Sequence, residues 1–247
     1  MTRLFSLLLA ALVCGEAFAE ISVSAQTVNA PIIKAGDTWT YMTTTEKGAS
    51  GWNQTRDETT VARVTSSTIY YTVKASGSTQ SAKELFAGLD WSRARDIDGK
   101  ETVVNRPLAF PLTVGKAWEV RYTEPHPNKT FRSEEWIHKY TVVGFESVEV
   151  PAGKFNALKI EAEGRWTAEL EPTQTVVQGA QSNADGTSMV TQAQKTTDKT
   201  VSGRTYKAFW YVPEVRRWVK SVEEYYGSGG VRNERYTGEL ESLKLTE

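Results

Sequence analysis

Few side chains in this 247-residue sequence could carry acid, base or metal chemistry. The only two histidines, His126 and His138, flank the acidic pair Glu134-Glu135. Imidazole and carboxylate groups bind zinc, but this spacing is poor for a shared site. His126 lies in a Pro-x-Pro turn, whereas His138 shares one strand face with Trp136 and Tyr140 by period-two alternation. The pattern favours a packed histidine at position 138 and no metal site.

The sequence contains no arrangement that identifies a hydrolase. A serine nucleophile needs a Gly-x-Ser-x-Gly elbow or a Ser-x-x-Lys pair, and the nearest match, Gly227-Ser228-Gly229-Gly230, is typical of a hairpin turn. Glycoside hydrolysis needs two carboxylates across a cleft. Adjacent residues of a strand point to opposite faces, so the glutamate pairs are poor catalytic pairs. The glutamates are candidates only by type: Glu134, Glu135, Glu161, Glu163, Glu223 and Glu224. We expect no enzymatic activity and no cofactor.

Aromatic residues are the most informative feature, with 8 Trp and 10 Tyr. Seven tryptophans fall in predicted strands: Trp39, Trp91, Trp118, Trp136, Trp166, Trp210 and Trp218. Each either fills a core or faces a ligand, because an indole combines a large apolar face with one hydrogen-bond donor. The candidate ligand-binding residues are Trp118, Trp210, Trp136 and Trp166. Trp118 and Trp210 each lie next to a turn that would fix the strand.

The elements that must position these residues are short strands. Apolar and polar residues alternate through most of the chain, and Gly, Asn, Asp and Pro clusters separate about a dozen strand-length segments. Short connections favour sequential antiparallel pairing. We therefore predict an all-β fold with little helix, in which a single domain forms a curved antiparallel meander sheet, a half-barrel or β-clam. The alternatives are a β-sandwich and a lipocalin-like barrel, and the best short helical candidate is 82–86.

Residues 171–203 differ from the rest because they contain no aromatic residue and are rich in Thr, Gln and Ser. Alternation persists on both sides of an Asp185-Gly186 turn. This pattern predicts an exposed hairpin, with a flexible insertion as the alternative.

Three segments carry a family resemblance: Phe110–Trp118, Val148–Glu161 and Phe209–Val215. They resemble exported bacterial proteins of unknown function, the TapB-like group, over roughly residues 36–220. The resemblance implies a β-rich domain with a curved sheet similar to the β-clam of lipoprotein carriers, and it supplies no catalytic residues. In the family pattern a glycine usually follows the proline-containing corner, whereas this chain has Arg216-Arg217 at that place.

The first 19 residues have the order of a secretory signal peptide. Arg3 precedes the apolar run Leu4–Val13, and Ala17-Phe18-Ala19 provides a small-residue cleavage site. The apolar run is about half the ~20 residues that a membrane-spanning helix needs. We expect cleavage after Ala19, a single β-rich domain over residues 20–247 with no transmembrane segment, and a periplasmic or secreted location.

The cysteine content and the net charge exclude thiol chemistry and nucleic-acid partners. Cys14 is the only cysteine, and the branched Val13 before it argues against lipidation, so the mature chain would have no thiol. The formal net charge is −1 and the basic residues are scattered, so the sequence has no basic patch of the kind that binds nucleic acid.

Three function classes remain. The favoured one is an exported, non-catalytic envelope protein that binds a hydrophobic or aromatic small molecule or a lipid on a concave sheet face, and it predicts an apolar cavity lined by Trp and Tyr. The alternative is an envelope assembly factor that binds a protein partner through a sheet edge. The least favoured class, an undetected hydrolase, predicts a polar cleft with titratable groups of shifted pKa.

Overall fold

The computed structural model describes residues 26–48, 51–182, 188–197 and 199–247. Within residues 173–198 it describes the backbone only. The expected signal peptide, residues 1–19, and Cys14 lie outside the described residues. The strands are β1 (Thr38–Lys47), β2 (Trp52–Val64), β3 (Thr68–Ala75), β4 (Lys83–Gly88), β5 (Arg93–Ile97), β6 (Lys100–Asn105), β7 (Ala117–Pro125), β8 (Phe131–Val150), β9 (Gly153–Leu170), β10 (Thr173–Ser182), β11 (Ser188–Thr197), β12 (Thr200–Val212), β13 (Arg217–Tyr226) and β14 (Arg232–Lys244).

Ten of these strands form one curved sheet in the order β4-β3-β2-β1-β14-β13-β12-β9-β8-β7. Every neighbouring pair in the sheet is antiparallel. The sheet does not close into a barrel, and the described part of the chain contains no α-helix. The predicted all-β, single-domain curved sheet is confirmed, rather than the sandwich or the lipocalin-like barrel.

The helical candidate at 82–86 is wrong, because residues 83–86 belong to the edge strand β4. Leu85 pairs with Tyr71 of β3, and Ala87 is buried while Phe86 between them is 59% exposed. Pairing with β3 selects the two-residue period over a weak local helical preference.

The segment without aromatic residues contains a separate antiparallel pair, β10 and β11. The strands on either side of it, β9 and β12, pair directly from Glu169↔Thr200 onward. The hairpin is therefore an insertion between two adjacent strands of the large sheet. The Asp185-Gly186 turn lies outside the described residues.

A non-repetitive segment that we call the strap, residues 105–112, covers part of the concave face. Its Leu108 and Leu112 are fully buried, and Leu112 exchanges two backbone hydrogen bonds of 2.8 Å with Val28. The Phe110 ring meets Tyr211 of β12 edge-on, with centroids 5.4 Å apart. The main hydrophobic core lies between the strap and the sheet.

The turn before β13 explains the departure at Arg216-Arg217. Residues Pro213–Val215 form a single 3₁₀ turn, and Arg216 closes it in the left-handed conformation, with φ 61°. That conformation favours glycine. Arg216 compensates by placing Nη1 2.9 Å from both carboxylate oxygens of Asp37, which is fully buried.

Candidate functional site

Strand register brings residues from five strands together on the concave face. Directly opposed residues of antiparallel strands lie side by side on the same face. On β7, β8, β9, β12 and β13, three successive rows result: Tyr122, Trp136 and Trp166; then Val120, His138, Gly164, Thr205 and Tyr225; then Trp118, Tyr140, Ala162, Lys207 and Glu223.

A cavity of about 510 Å³ opens over these rows, with residues of β5 and β6 forming part of its wall. Its wall is partly aromatic and apolar, through Tyr71, Leu85, Phe86, Tyr122 and Trp136. Its polar lining comprises Arg93, Arg95, Asn105, His138, Lys207 and Tyr225. The cavity thus combines the aromatic wall that the sequence predicts for a binding protein with the polar groups that it predicts for the cleft of a hydrolase.

His138 is the most unusual residue of the cavity. Its ring is 2% exposed and stacks on Trp136, with centroids 5.9 Å apart and planes within 9°. Neither ring nitrogen has a hydrogen-bond partner within the described residues, and neither does the buried hydroxyl of Thr205. Buried polar atoms in proteins are normally paired with protein, water or ligand. His138 lines the cavity, whereas Thr205 lines a separate depression of about 330 Å³.

Gly164 makes this arrangement possible. It lies between His138 and Thr205 in the same row. A Cβ atom at position 164 would come within 2.2 Å of Thr205 Oγ1 and 2.6 Å of His138 Cδ2. Only glycine lets the imidazole and the hydroxyl approach each other across the central strand.

The protonation state of His138 follows from its surroundings. Burial, reinforced by the nearby Lys207 charge and opposed by Glu223, lowers the pKa of His138 to about 4. The imidazole is therefore neutral at pH 7 and offers one N–H donor and one nitrogen acceptor. This side chain adds a polar, uncharged ring to the cavity lining.

A charged pair lies beside His138. Lys207 is only 5% exposed, and its Nζ lies 3.3 Å from Glu223 Oε2, the same oxygen that accepts a hydrogen bond of 3.1 Å from Tyr225. Burial alone would raise the pKa of Glu223, but the positive charges of Lys207 and Arg93 outweigh it and the pKa is lowered. The Glu223 carboxyl is therefore held in its charged form.

Asn105 ties the strap to this pair. Its Oδ1 accepts hydrogen bonds of 2.9 Å from the Tyr140 hydroxyl and 3.5 Å from Lys207 Nζ. The amide bridges two strands of the sheet and fixes one end of the strap over the cavity. Burial raises the pKa of Tyr140, so its hydroxyl remains a donor.

The four candidate tryptophans separate in the structure. Trp136 lines the large cavity. Trp166 lies beside it, with ring centroids 6.3 Å apart, and lines a neighbouring depression of about 420 Å³. Trp118 stacks on Tyr140 at 5.3 Å and donates a hydrogen bond of 2.9 Å to the Arg106 carbonyl, so it packs beneath the strap.

Trp210 lies on the opposite face of the sheet. Its neighbour Phe209 points to the concave side, where it meets Trp218, and successive residues of a strand alternate. The Trp210 indole donates to Glu146 and lies 5.4 Å from Lys159 Nζ. The structure does not bring Trp210 together with the other three candidates.

The other sequence candidates are dispersed. His126 is 70% exposed and lies 3.7 Å from Glu171, while His138 is buried in the cavity. No group of three His, Cys, Asp or Glu side chains suited to a metal occurs in the described ranges. The Gly227-Ser228-Gly229-Gly230 segment is the turn between β13 and β14, closed by a 3.0 Å bond from Gly227 N to Val231 O.

Several cavity residues were missed in the sequence. Lys207 carries a recognisable signal, because it shares the two-residue period of the buried Phe209 and Tyr211. A lysine on an apolar strand face is uncommon unless it is paired. Arg93 and Asn105 carry no such signal, since a hairpin and the strap place them over the sheet.

Comparisons with known proteins identify no family. No protein-family model matches this chain, and no curated protein matches it. It is similar to a solved structure described as a "putative lipoprotein" from Parabacteroides distasonis, at 14% identity and a TM-score of 0.43. It is also similar to a "putative exported protein with YmcC-like fold" from Bacteroides fragilis, at 16% identity and a TM-score of 0.42. Each match covers 89% of this chain and 100% of the other.

These similarities are too low to assign a function, and the resemblance to the TapB-like group stays a prediction. Among the described residues, no helix has the length and apolar character needed to span a membrane.

Proposed function

We propose that this protein is an exported, non-catalytic binding protein of the bacterial cell envelope. Its concave cavity takes a ligand with an apolar or aromatic body. The observation that carries the proposal is the aromatic-lined cavity in which the buried nitrogens of His138 lack partners. Export is supported by the signal-like sequence of residues 1–19.

The energetics favour a ligand over a structural role for these atoms. A buried polar atom without a hydrogen bond costs about 1–3 kcal/mol. His138 carries two such atoms, and Thr205 in the same row carries a third. A ligand that hydrogen-bonds to the His138 nitrogens removes their share of this cost on binding, while Trp136 and Tyr122 cover its apolar body.

The same geometry argues against general acid–base catalysis. A catalytic histidine is usually oriented by a carboxylate or carbonyl that accepts its second N–H. His138 has no such partner in the described part of the chain, and Glu223 is engaged by Lys207 and Tyr225. The pair and the imidazole are better suited to recognition than to proton transfer.

The assembly-factor alternative draws on the exposed Phe86 of the edge strand β4. Phe86 also lines the cavity, so its exposure is equally accounted for by ligand entry. The binding proposal accounts for Phe86 and for the unpaired polar atoms together.

The test is binding of N-phenyl-1-naphthylamine, a neutral aromatic probe that fluoresces on leaving water. We expect saturable 1:1 binding to the mature chain, with energy transfer from tryptophan. Trp136→Ala should weaken binding about tenfold or more, a loss of about 1.4 kcal/mol. Trp210→Ala is the matched control, because it removes an indole from the opposite face, and it should leave the affinity unchanged.

Absence of saturable binding would contradict the proposal, as would equal weakening by both variants. Hydrolysis of an ester or glycoside that His138→Ala abolishes would favour the hydrolase class instead.

A further inference from the structure

The guanidinium of Arg217 is surrounded by aromatic rings. Its Cζ lies 4.2 Å from the ring centroid of Trp91, 4.7 Å from Trp218, 5.2 Å from Tyr41 and 5.5 Å from Trp39. Within the described ranges no carboxylate lies at ion-pair distance from it. Its charge is stabilised by ring faces alone.

The unpaired atoms of Arg217 are informative. Nε and Nη1 are buried and have no hydrogen-bond partner within the described residues. The Nε–H bond points toward the Nη2 side of the guanidinium and away from Nη1, so these atoms are two separate donors and not one bidentate edge. A cation–π contact contributes about 0.5–2 kcal/mol but leaves these N–H donors unsatisfied. A neighbouring anion supplies the negative charge that the ring faces lack.

A cavity of about 170 Å³ adjoins this guanidinium. Arg217 and Ser221 line it, together with Tyr71, Arg93 and Asn105, which also line the 510 Å³ cavity. The shared residues place the two cavities next to each other. The smaller chamber is lined by both Arg93 and Arg217, and the larger chamber carries the open aromatic wall.

The local charges do not balance without a ligand. Lys207 and Glu223, which also lines the smaller chamber, cancel as a pair at 3.3 Å. Arg95 is paired with Glu124 at 2.9 Å. Arg93 and Arg217 remain as two positive charges without an ion-pair partner among the described residues. Arg217 is only partly exposed and two of its nitrogens are buried, so its uncompensated charge is costly and a bound anion stabilises this arrangement.

We propose that the ligand is an amphipathic anion. A carboxylate, sulfate or phosphate group occupies the smaller chamber, where the two arginines without an ion-pair partner, Arg93 and Arg217, compensate its charge. The apolar or aromatic body extends into the larger chamber against Trp136. This inference rests on the proposed function and adds the chemistry of the head group to it.

The test compares two probes that differ in one group. 8-Anilinonaphthalene-1-sulfonate has the same anilinonaphthalene body as the neutral N-phenyl-1-naphthylamine and adds a sulfonate. We expect the mature chain to bind the sulfonate probe about tenfold or more tightly than the neutral one, a difference of about 1.4 kcal/mol. Inorganic sulfate alone should compete only at much higher concentration.

The variants separate charge from packing. Arg93→Gln changes an exposed residue and should reduce sulfonate-probe affinity about tenfold while neutral-probe affinity stays within about twofold. Arg217→Lys keeps the positive charge but replaces the planar guanidinium with a single ammonium group. It should weaken binding of the sulfonate probe selectively. Arg63→Gln is the matched control, since Arg63 stacks on Tyr70 at 3.8 Å outside the cavity lining, and it should change neither affinity.

The outcomes distinguish the two proposals. Equal affinity for both probes, with no effect of Arg93→Gln, overturns the anionic head group and leaves the binding function standing. Failure of both probes to bind overturns both proposals. Inorganic sulfate that binds as tightly as the sulfonate probe would show a site for a free anion, and the amphipathic ligand would then be wrong.

Discussion

The strap-covered core and the cavity are built by the same long strands, yet they differ in whether their buried polar atoms have hydrogen-bond partners. Beneath the strap, Val142, Ile160 and Phe209 form one cross-strand row of β8, β9 and β12, and all three are buried. Four residues away along β8, the row of His138 and Thr205 is buried as well, but its polar atoms have no partners.

The contrast shows which region is optimised for stability. Seven buried side-chain atoms in the described residues lack hydrogen-bond partners, and five belong to His138, Thr205 and Arg217; the others belong to Tyr211 and Arg235. A region selected for stability alone would carry apolar residues or complete networks at these positions. The proposed binding function accounts for the unsatisfied atoms of His138 and Arg217, which line the two cavities.

The largest expected effect is the loss of a strap residue. Leu112 is fully buried, so Leu112→Ala should lower the free energy of unfolding by about 4 kcal/mol in urea denaturation, through lost apolar contact and the void left behind. Probe binding should survive in the fraction that stays folded.

Leu85→Ala is the comparison, because Leu85 lines the cavity and is only partly buried. It should cost about 1 kcal/mol or less and weaken binding of the neutral probe. If Leu85→Ala is as destabilising as Leu112→Ala, the two regions do not differ as described.

The next effect is a pH dependence centred on His138. Its folded-state pKa of about 4 lies below the unfolded value, so the unfolded chain takes up the proton first as pH falls. Stability from the neutral imidazole is present above about pH 6.5 and is lost as pH falls toward 4. Between pH 7 and pH 4, the wild type should lose about 3 kcal/mol relative to His138→Phe.

The measurement is urea denaturation of both proteins across that pH range. His126→Phe is the matched control, since this side chain is 70% exposed and lacks the burial that acts on His138. A constant stability difference between wild type and His138→Phe would mean that His138 does not titrate as a buried neutral group.

Much of the fold could be predicted from the sequence, because alternation and turn chemistry are local signals. They are sufficient for the strand containing Trp136, His138 and Tyr140 and for the turn at Gly227-Ser228-Gly229-Gly230. The site could not be predicted, because register across β8, β9, β12 and β13 unites His138, Gly164, Lys207 and Glu223 from distant parts of the chain. Nothing in the sequence around Asn105 indicates that the strap folds over them.

The tryptophans show the same limit in another way. Trp136 and Trp210 both sit on strands, and either assignment, core or ligand, fits the local pattern. Their faces depend on which neighbouring residues the sheet buries, since a shift of one residue in register reverses the side that a strand presents. Only the paired strands show that Trp136 lines the cavity and Trp210 does not.

The most direct test of the central claim is a crystal structure of the mature chain with 8-anilinonaphthalene-1-sulfonate. The account predicts one probe molecule in the adjoining cavities, with its rings against Trp136 and a sulfonate oxygen at about 2.7–3.2 Å from a guanidinium nitrogen of Arg217 or Arg93. The account would be contradicted by a probe molecule bound elsewhere, in a crystal in which ordered waters fill the cavity and make the hydrogen bonds to His138, Thr205 and Arg217.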